Sequence, residues 1–271
     1  MMIKNIETIT VVIPAYGREV LLMETLKSVY DQVGQFEIKT IIVDDHSPKP
    51  LRSIIHQKFK NVFVIRNKEN LLNGMARNMS IPYIKSKYVV FLDSDDLWDK
   101  NFIKNSIEAL KKSNTKASVC LSKAIFGSNL PSVFKLKMFV LTQIKTFFQI
   151  FFYYFNKGIL PKGAFYLCQM SHMVFEKSVL KTARFDRKYD SGGNDWDFTL
   201  KVMDKTPITI IPQKLTFFRY HSKSWIQTRQ KKMNKWKSYN QLFKELEKRK
   251  IKGLMVLFFR LYINTFWTKP F

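Results

Sequence analysis

Four short apolar runs constrain this chain more than anything else in it: TVVI (10–13), TIIVDD (40–45), VFVIR (62–66) and YVVFLD (88–93). Each is rich in β-branched or aromatic residues and too short for a helix, so each reads as a buried strand. Between them, Leu22, Leu26 and Val29 recur at helical spacing within Arg18–Tyr30, and Asn73–Ile84 reads as a second helix. Strands apolar on both faces, alternating with helices, predict an α/β fold with a mainly parallel central sheet flanked by helices. Right-handed crossovers follow. Such a sheet binds ligands beyond the carboxyl ends of its strands.

The residues that stop these runs carry the chemistry. Pro14-Ala15-Tyr16, Asp44-Asp45 and Asp93–Asp96 all fall at strand ends, although up to about 80 residues apart. FLDSDDLW (91–98) places three carboxylates within four residues, where they repel one another and resist burial. Mg²⁺ or Mn²⁺ would relieve that repulsion, since these ions are held by one or two carboxylates plus substrate phosphates. A diphosphate bridged by such an ion is a good leaving group. The competing reading is a solvated turn, or Asp95 or Asp96 capping the helix that follows; convergence of three strand ends favours the ion. Asp45 suits a nucleoside sugar or base, against an Asx-turn at DDHSP. Arg77 could meet a phosphate or balance the carboxylates. No GxGxxG follows the first run and no GxxxxGK[ST] occurs, which disfavours dinucleotide and P-loop enzymes.

The net charge, 46 − 21 = +25, attracts polyanions: phosphorylated substrates, anionic lipid or nucleic acid. No nucleic-acid reader motif accompanies it, so no nucleic-acid partner is expected. Cys120 and Cys168 lie far apart and read as reduced structural thiols. The N-terminal stretch lacks the pattern of a secretory signal, and no apolar stretch reaches the length of a spanning helix. Residues 133–155 form an otherwise apolar helical pattern with a narrow polar stripe (Lys135, Thr142, Lys145, Thr146, Gln149). Residues 222–271 hold 13 Lys/Arg against 2 Glu and read as a basic helical appendage with an apolar end. Both could lie against an anionic membrane surface, or pack on the protein as buried and solvated helices. The expected place is cytoplasmic, peripheral on the inner face of the cell membrane.

Six segments then acquire a joint meaning. VVIPAYGRE, IIVDDHS, NLLNGMARN, FLDSDD, GGNDWDF and FRYHS resemble, in order and spacing, the motifs of family 2 glycosyltransferases of the bacterial surface-polysaccharide or lipopolysaccharide type, over residues 8 to 222. The resemblance implies a GT-A, Rossmann-like fold: a catalytic domain over 1–221, with a nucleotide-binding half (1–100) and an acceptor-binding half (101–221), and the appendage over 222–271. It implies a nucleoside pocket for uridine at Pro14, Ala15, Tyr16 and Asp45. Arg18, Arg77 and Ser94 join the donor-binding set. Asp93-x-Asp95 looks like the DxD motif, with Asp95 on the divalent ion and Asp93 near the ribose; Asp96 is the second candidate. His221 resembles a histidine that reaches the diphosphate or its metal. Asp195 matches the general base, which takes the proton of an acceptor hydroxyl.

The expected function is inverting transfer of one hexosyl or N-acetylhexosaminyl unit from a UDP-sugar, with Mg²⁺ or Mn²⁺, to a glycan or lipid-linked acceptor. The rivals are a nucleotidyltransferase and a non-catalytic membrane-binding relative. Three departures stand out: Gly17 where Asn is common, Leu72 where Gly is usual, and Asn194 in place of the Glu beside the base.

Overall fold

The computed structural model describes residues 6–190, 192–221 and 231–251, with Leu257, Arg260 and Ile263. Much of the expected appendage, residues 222–230 and most of 252–271, lies outside the described residues.

The strands are β1 (Glu7–Ala15), β2 (Phe36–Asp44), β3 (Phe63–Arg66), β4 (Tyr88–Phe91), β5 (Leu97–Trp98), β6 (Ala117–Phe126), β7 (Met173–Glu176) and β8 (Ile208–Tyr220). The helices are α1 (Glu19–Tyr30), α2 (Arg52–His56), α3 (Leu72–Ser80), α4 (Phe102–Ser113), α5 (Ser132–Phe155), α6 (Asn194–Met203) and α7 (Lys231–Lys248). All eight strands form one sheet in the order β3-β2-β1-β4-β7-β6-β8-β5. The first four run parallel, as the apolar runs predict. β7 is antiparallel to both β4 and β6, while β6 and β8 are parallel. The expected mainly parallel α/β architecture is therefore present, with an antiparallel strand joining its two halves.

Burial on both faces explains the unrelieved strands. Val12 and Phe91 belong to one apolar cluster, Val11, Ile13 and Val90 to the other. β1 does not stop at Pro14 but continues to Ala15, paired with β2 throughout. Leu92 donates to the Val12 carbonyl, so alternation turns the Pro14 nitrogen to the same side, past the last β4 pair at Val12–Phe91. No ladder bond is lost there. In β8, Pro212 and Gln213 bulge out between the pairs Cys120–Ile211 and Leu121–Lys214, the position where a strand tolerates proline.

Cys120 and Cys168 are free and buried, as expected. α7 packs into the main core through Tyr239, Leu242 and Leu246, so this helix is held to the sheet by apolar contact. No helix among the described residues is long and apolar enough to cross a membrane.

Candidate active site

The carboxyl ends of β1, β2 and β4 open into a cavity of about 250 Å³. Pro14, Tyr16, Arg18, Asp45, Arg77, Asp93, Ser94, Asp95 and Asp195 all line it. Two residues expected there stand behind the lining. Ala15 is buried, and its carbonyl accepts the Asp45 N–H at 2.8 Å. His221 sits one layer out, with Nε2 3.0 Å from Asp95 Oδ2.

The two aspartates ending β2 divide their work. The Asp44 carboxylate accepts from the Ser47 and Leu51 N–H groups and from Arg66 at 2.5 Å. Burial opposes its ionisation, but those hydrogen bonds hold it below the usual carboxylate range. Asp44 therefore builds the turn. Asp45 Oδ1 takes the Asn67 amide at 2.7 Å and the Leu71 N–H at 2.9 Å, which anchors the loop leading into α3. Leu72 opens that helix with φ of 66°, a left-handed conformation natural to glycine. The backbone keeps the turn expected of a glycine there, at a cost of about 1–2 kcal/mol.

Arg77 is the hinge of the site. Its side chain is 1% exposed, lies over the Phe185 ring, and bonds Asp93 at 2.5 Å and Asp195 at 2.6 Å. Burial disfavours its charge, yet the two carboxylates raise its pKa further. Burial likewise pushes Asp93 up to about 6: the charges of Asp195 and Asp95 add to it and outweigh the pull of Arg77. Asp195 lies in the first turn of α6 but does not cap it; Gly193 holds that position at φ 86°. One of its oxygens, Oδ1, is on Arg77, and Oδ2 has no protein partner among the described residues. Its neighbour Asp197 is turned away, buried and paired with Lys201.

Asp95 is held by Arg18 at 2.6 Å and by His221, both on Oδ2. Burial opposes ionisation here too, but the His221 hydrogen bond and the Arg18 and Arg219 charges win and lower its pKa. Asp96 is buried, off the cavity wall, and accepts from the Arg219 N–H. Between the two candidates for a metal, only Asp95 faces the cavity. No cluster of three or more acidic, His or Cys side chains among the described residues could hold an ion by itself. An ion that displaced the proton between Asp95 and His221 would find one oxygen and one nitrogen ligand there, and Mg²⁺ or Mn²⁺ would take its remaining ligands from a diphosphate.

Several lining residues escape a reading of the sequence. Arg219 lies inside the FRYHS motif and braces the Asp95 carbonyl, Glu24 and the Leu21 carbonyl. Lys145, Gln169, Asp190 and Tyr239 come from elements without a motif.

The family model described as "Glycosyl transferase family 2" matches residues 10–182. The chain belongs to glycosyl transferase family 2. This family-2 chain is 23% identical over 239 residues to the "Uncharacterized glycosyltransferase MJ1057" of Methanocaldococcus jannaschii, covering 85% of this chain and 77% of that relative. It is 34% identical over 107 residues to the Escherichia coli UDP-Glc:alpha-D-GlcNAc-diphosphoundecaprenol beta-1,3-glucosyltransferase WfaP, covering 39% of this chain and 42% of that one. Among solved structures, Staphylococcus aureus TarS 1-349 in complex with UDP-GlcNAc superposes with a TM-score of 0.63 at 18% identity, over 80% of this chain and 60% of that chain. The last comparison shows the GT-A fold. The family-2 chain spans less than two thirds of the length of WfaP and of the TarS chain. Shorter matches include the "Putative teichuronic acid biosynthesis glycosyltransferase TuaG" of Bacillus subtilis and the "Succinoglycan biosynthesis protein ExoW" of Rhizobium meliloti.

Proposed function

We propose that this glycosyltransferase moves one sugar, with inversion, from a UDP-linked donor to a hydroxyl of a glycan or lipid-linked acceptor during assembly of a cell-surface polysaccharide. One observation carries the reading: Asp45, Asp95 and Asp195, from three distant segments, meet around a single cavity. The UDP-Glc donor named for WfaP and the UDP-GlcNAc bound to TarS support a UDP-hexose or UDP-N-acetylhexosamine.

In this reading the uridine packs on Pro14 and on Tyr16, a half-exposed ring at the rim, and meets the open Oδ2 of Asp45. Ala15 serves through its carbonyl, which fixes Asp45. Asp93 takes the ribose, while Arg18, Arg77 and Ser94 line the path of the phosphates. Asp95 and His221 would hold Mg²⁺ or Mn²⁺, which supplies positive charge for the departing diphosphate. Asp195 Oδ2 takes the proton of the acceptor hydroxyl as it attacks the anomeric carbon. A single displacement of this kind inverts the anomeric centre; a covalent route would need a second carboxylate as nucleophile.

We take residues 1–221 as the catalytic domain, its halves meeting at about residue 100, with 222–271 appended; Tyr239 then completes the acceptor end of the wall. The enzyme works in the cytoplasm, peripherally on the anionic inner face of the membrane. Asp195→Asn tests the chemistry. Transfer should fall by about 10³-fold, within the range for loss of a general base, while UDP binding by calorimetry stays unchanged. Undiminished turnover would remove Asp195 from the role. Release of pyrophosphate in place of UDP would favour a nucleotidyltransferase.

A further inference from the structure

α5 is apolar on both faces, burying Phe134, Met138, Leu141 and Phe152 on its inward side, and its polar stripe also runs inward. Thr142, Thr146 and Gln149 of its polar stripe are buried, with Gln149 reaching the Leu167 carbonyl and Thr142 returning its hydroxyl to the Met138 carbonyl. The opposite face, turned outward, carries Val133, Leu136, Phe139, Phe147, Tyr154 and Phe155. Val133, Phe147, Tyr154 and Phe155 are 63–77% exposed. Phe147, Phe151 and Phe155 stack in a row along it. At 1.5 Å per residue, the 24 residues make a stripe about 36 Å long. Gln143 alone interrupts it between Phe139 and Phe147, and a soluble surface does not leave so long an apolar face uncovered without a partner.

The surrounding charge identifies that partner. From residue 109 to 175 the chain has nine lysines and no Asp or Glu. Lys157 lies exposed just beyond the C-terminal end of α5, and Lys135 is half-exposed in its first turn. A second copy of this chain would bring lysine against lysine. An anionic lipid surface offers acyl chains for the aromatic row and headgroups for the flanking ammoniums.

We infer that the outward face of α5 is the element that seats this enzyme in the interface of an anionic membrane, lying parallel to the bilayer plane. The lysines of the stripe do not mark the lipid face; the phenylalanines opposite do. Lys145, on the inward side, lines the donor cavity, so one helix contacts the bilayer with one face and the site with the other. A lipid-linked acceptor would then enter from the bilayer beside α5. This rests on the membrane part of the proposed function and is independent of its chemistry.

The test is sedimentation of the full chain with vesicles of phosphatidylglycerol and phosphatidylcholine, comparing wild type with the triple variant Phe139→Ser, Phe147→Ser, Phe155→Ser. UDP binding and thermal unfolding serve as checks on folding. Wild type should bind anionic vesicles, and the variant at least about tenfold more weakly, with UDP binding retained. Equal binding by both would overturn the role of α5 and assign the membrane to another basic surface. Failure of wild type to bind at all would overturn the membrane reading itself, leaving transfer to a soluble acceptor untouched. A wild-type dimer in ultracentrifugation that the variant abolishes, without vesicle binding, would assign the face to a second copy. Should the triple variant not fold, Phe155→Ser alone, at the helix end, provides the same comparison.

Discussion

The two walls of the cavity are held in different ways. On the wall made by the ends of β1, β2 and β4, Asp44, Asp93 and Asp95 each pair with an arginine, Arg66, Arg77 and Arg18, while Asp45 is held by the Asn67 amide and the Leu71 N–H. On the facing wall, Asp195 shares Arg77 with the first wall, and Asp190 has a buried oxygen, Oδ1, with no partner. The first wall is held in place by its own ion pairs and hydrogen bonds before any ligand arrives, which suits a fixed nucleotide. Hydrogen bonds between Asn78 and Phe185 tie the second to it, and the Arg77 guanidinium joins their carboxylates.

That joint makes the largest effect. Removing Arg77 leaves Asp93 and Asp195, whose side chains are each 25% exposed, facing each other without a shared cation. Breaking a buried pair costs about 3–5 kcal/mol, because the stranded charge stays buried. Arg77→Ala should lower unfolding free energy in urea by about that amount, and Arg77→Lys should recover little, since an ammonium cannot fork between two carboxylates. A loss below about 1 kcal/mol would mean that the two walls are not coupled through this residue.

A smaller effect separates the walls by pH. Asp93 is pushed up to about 6, so it is ionised at pH 7.5 and largely protonated at pH 5. A charged acceptor makes hydrogen bonds roughly twice as strong as a neutral one. UDP-sugar affinity, measured by calorimetry without added metal, should therefore weaken about tenfold between pH 7.5 and 5, with its midpoint near 6. The donor's diphosphate is esterified at both ends and does not itself titrate there. A flat profile would place Asp93 outside the donor contacts.

How much of this could be read from the sequence differs between the walls for the same physical reason. Strand ends of the first wall are legible because an apolar run halted by Pro14, Asp44 or Asp93 names both the element and the position of its polar terminus. α3 and α6 follow from motifs with fixed spacing. In the second half, Ser122 and Lys123 interrupt β6, and Pro212, Gln213 and Lys214 split β8 after the short run Ile208–Ile211, so neither strand shows its full length as one apolar run. β7 is only four residues long. Its antiparallel insertion is set by pairing with both neighbours and leaves no local trace. α5 has the expected length and period, but a stripe shows only that two faces differ; packing decided which one turned inward. Tyr239 and Lys145 reach the cavity for the same reason, from helices whose orientation is a property of the core.

The smallest effect concerns the unpartnered acid. Gly74 allows α3 to approach Asp190: a Cβ built on it would come within 2.7 Å of Asp190 Oδ1. Burial pushes Asp190 up to about 6. A carboxyl whose folded pKa exceeds its unfolded value, near 4, contributes its stability below that lower value. The contribution disappears as pH rises through the folded one. At pH 8 the protein therefore holds a charge it would fold better without, whereas at pH 4 it does not. Asp190→Asn should raise stability by about 1 kcal/mol at pH 8 and leave it nearly unchanged at pH 4, by chemical denaturation at each pH. If the gain appears with no change in transfer, the facing wall carries Asp190 as a structural liability. If the gain comes with weaker acceptor binding, its free oxygen belongs to the acceptor. Equal effects at both pH values would show that the carboxyl is not titrating between them, and would remove the contrast with the paired wall.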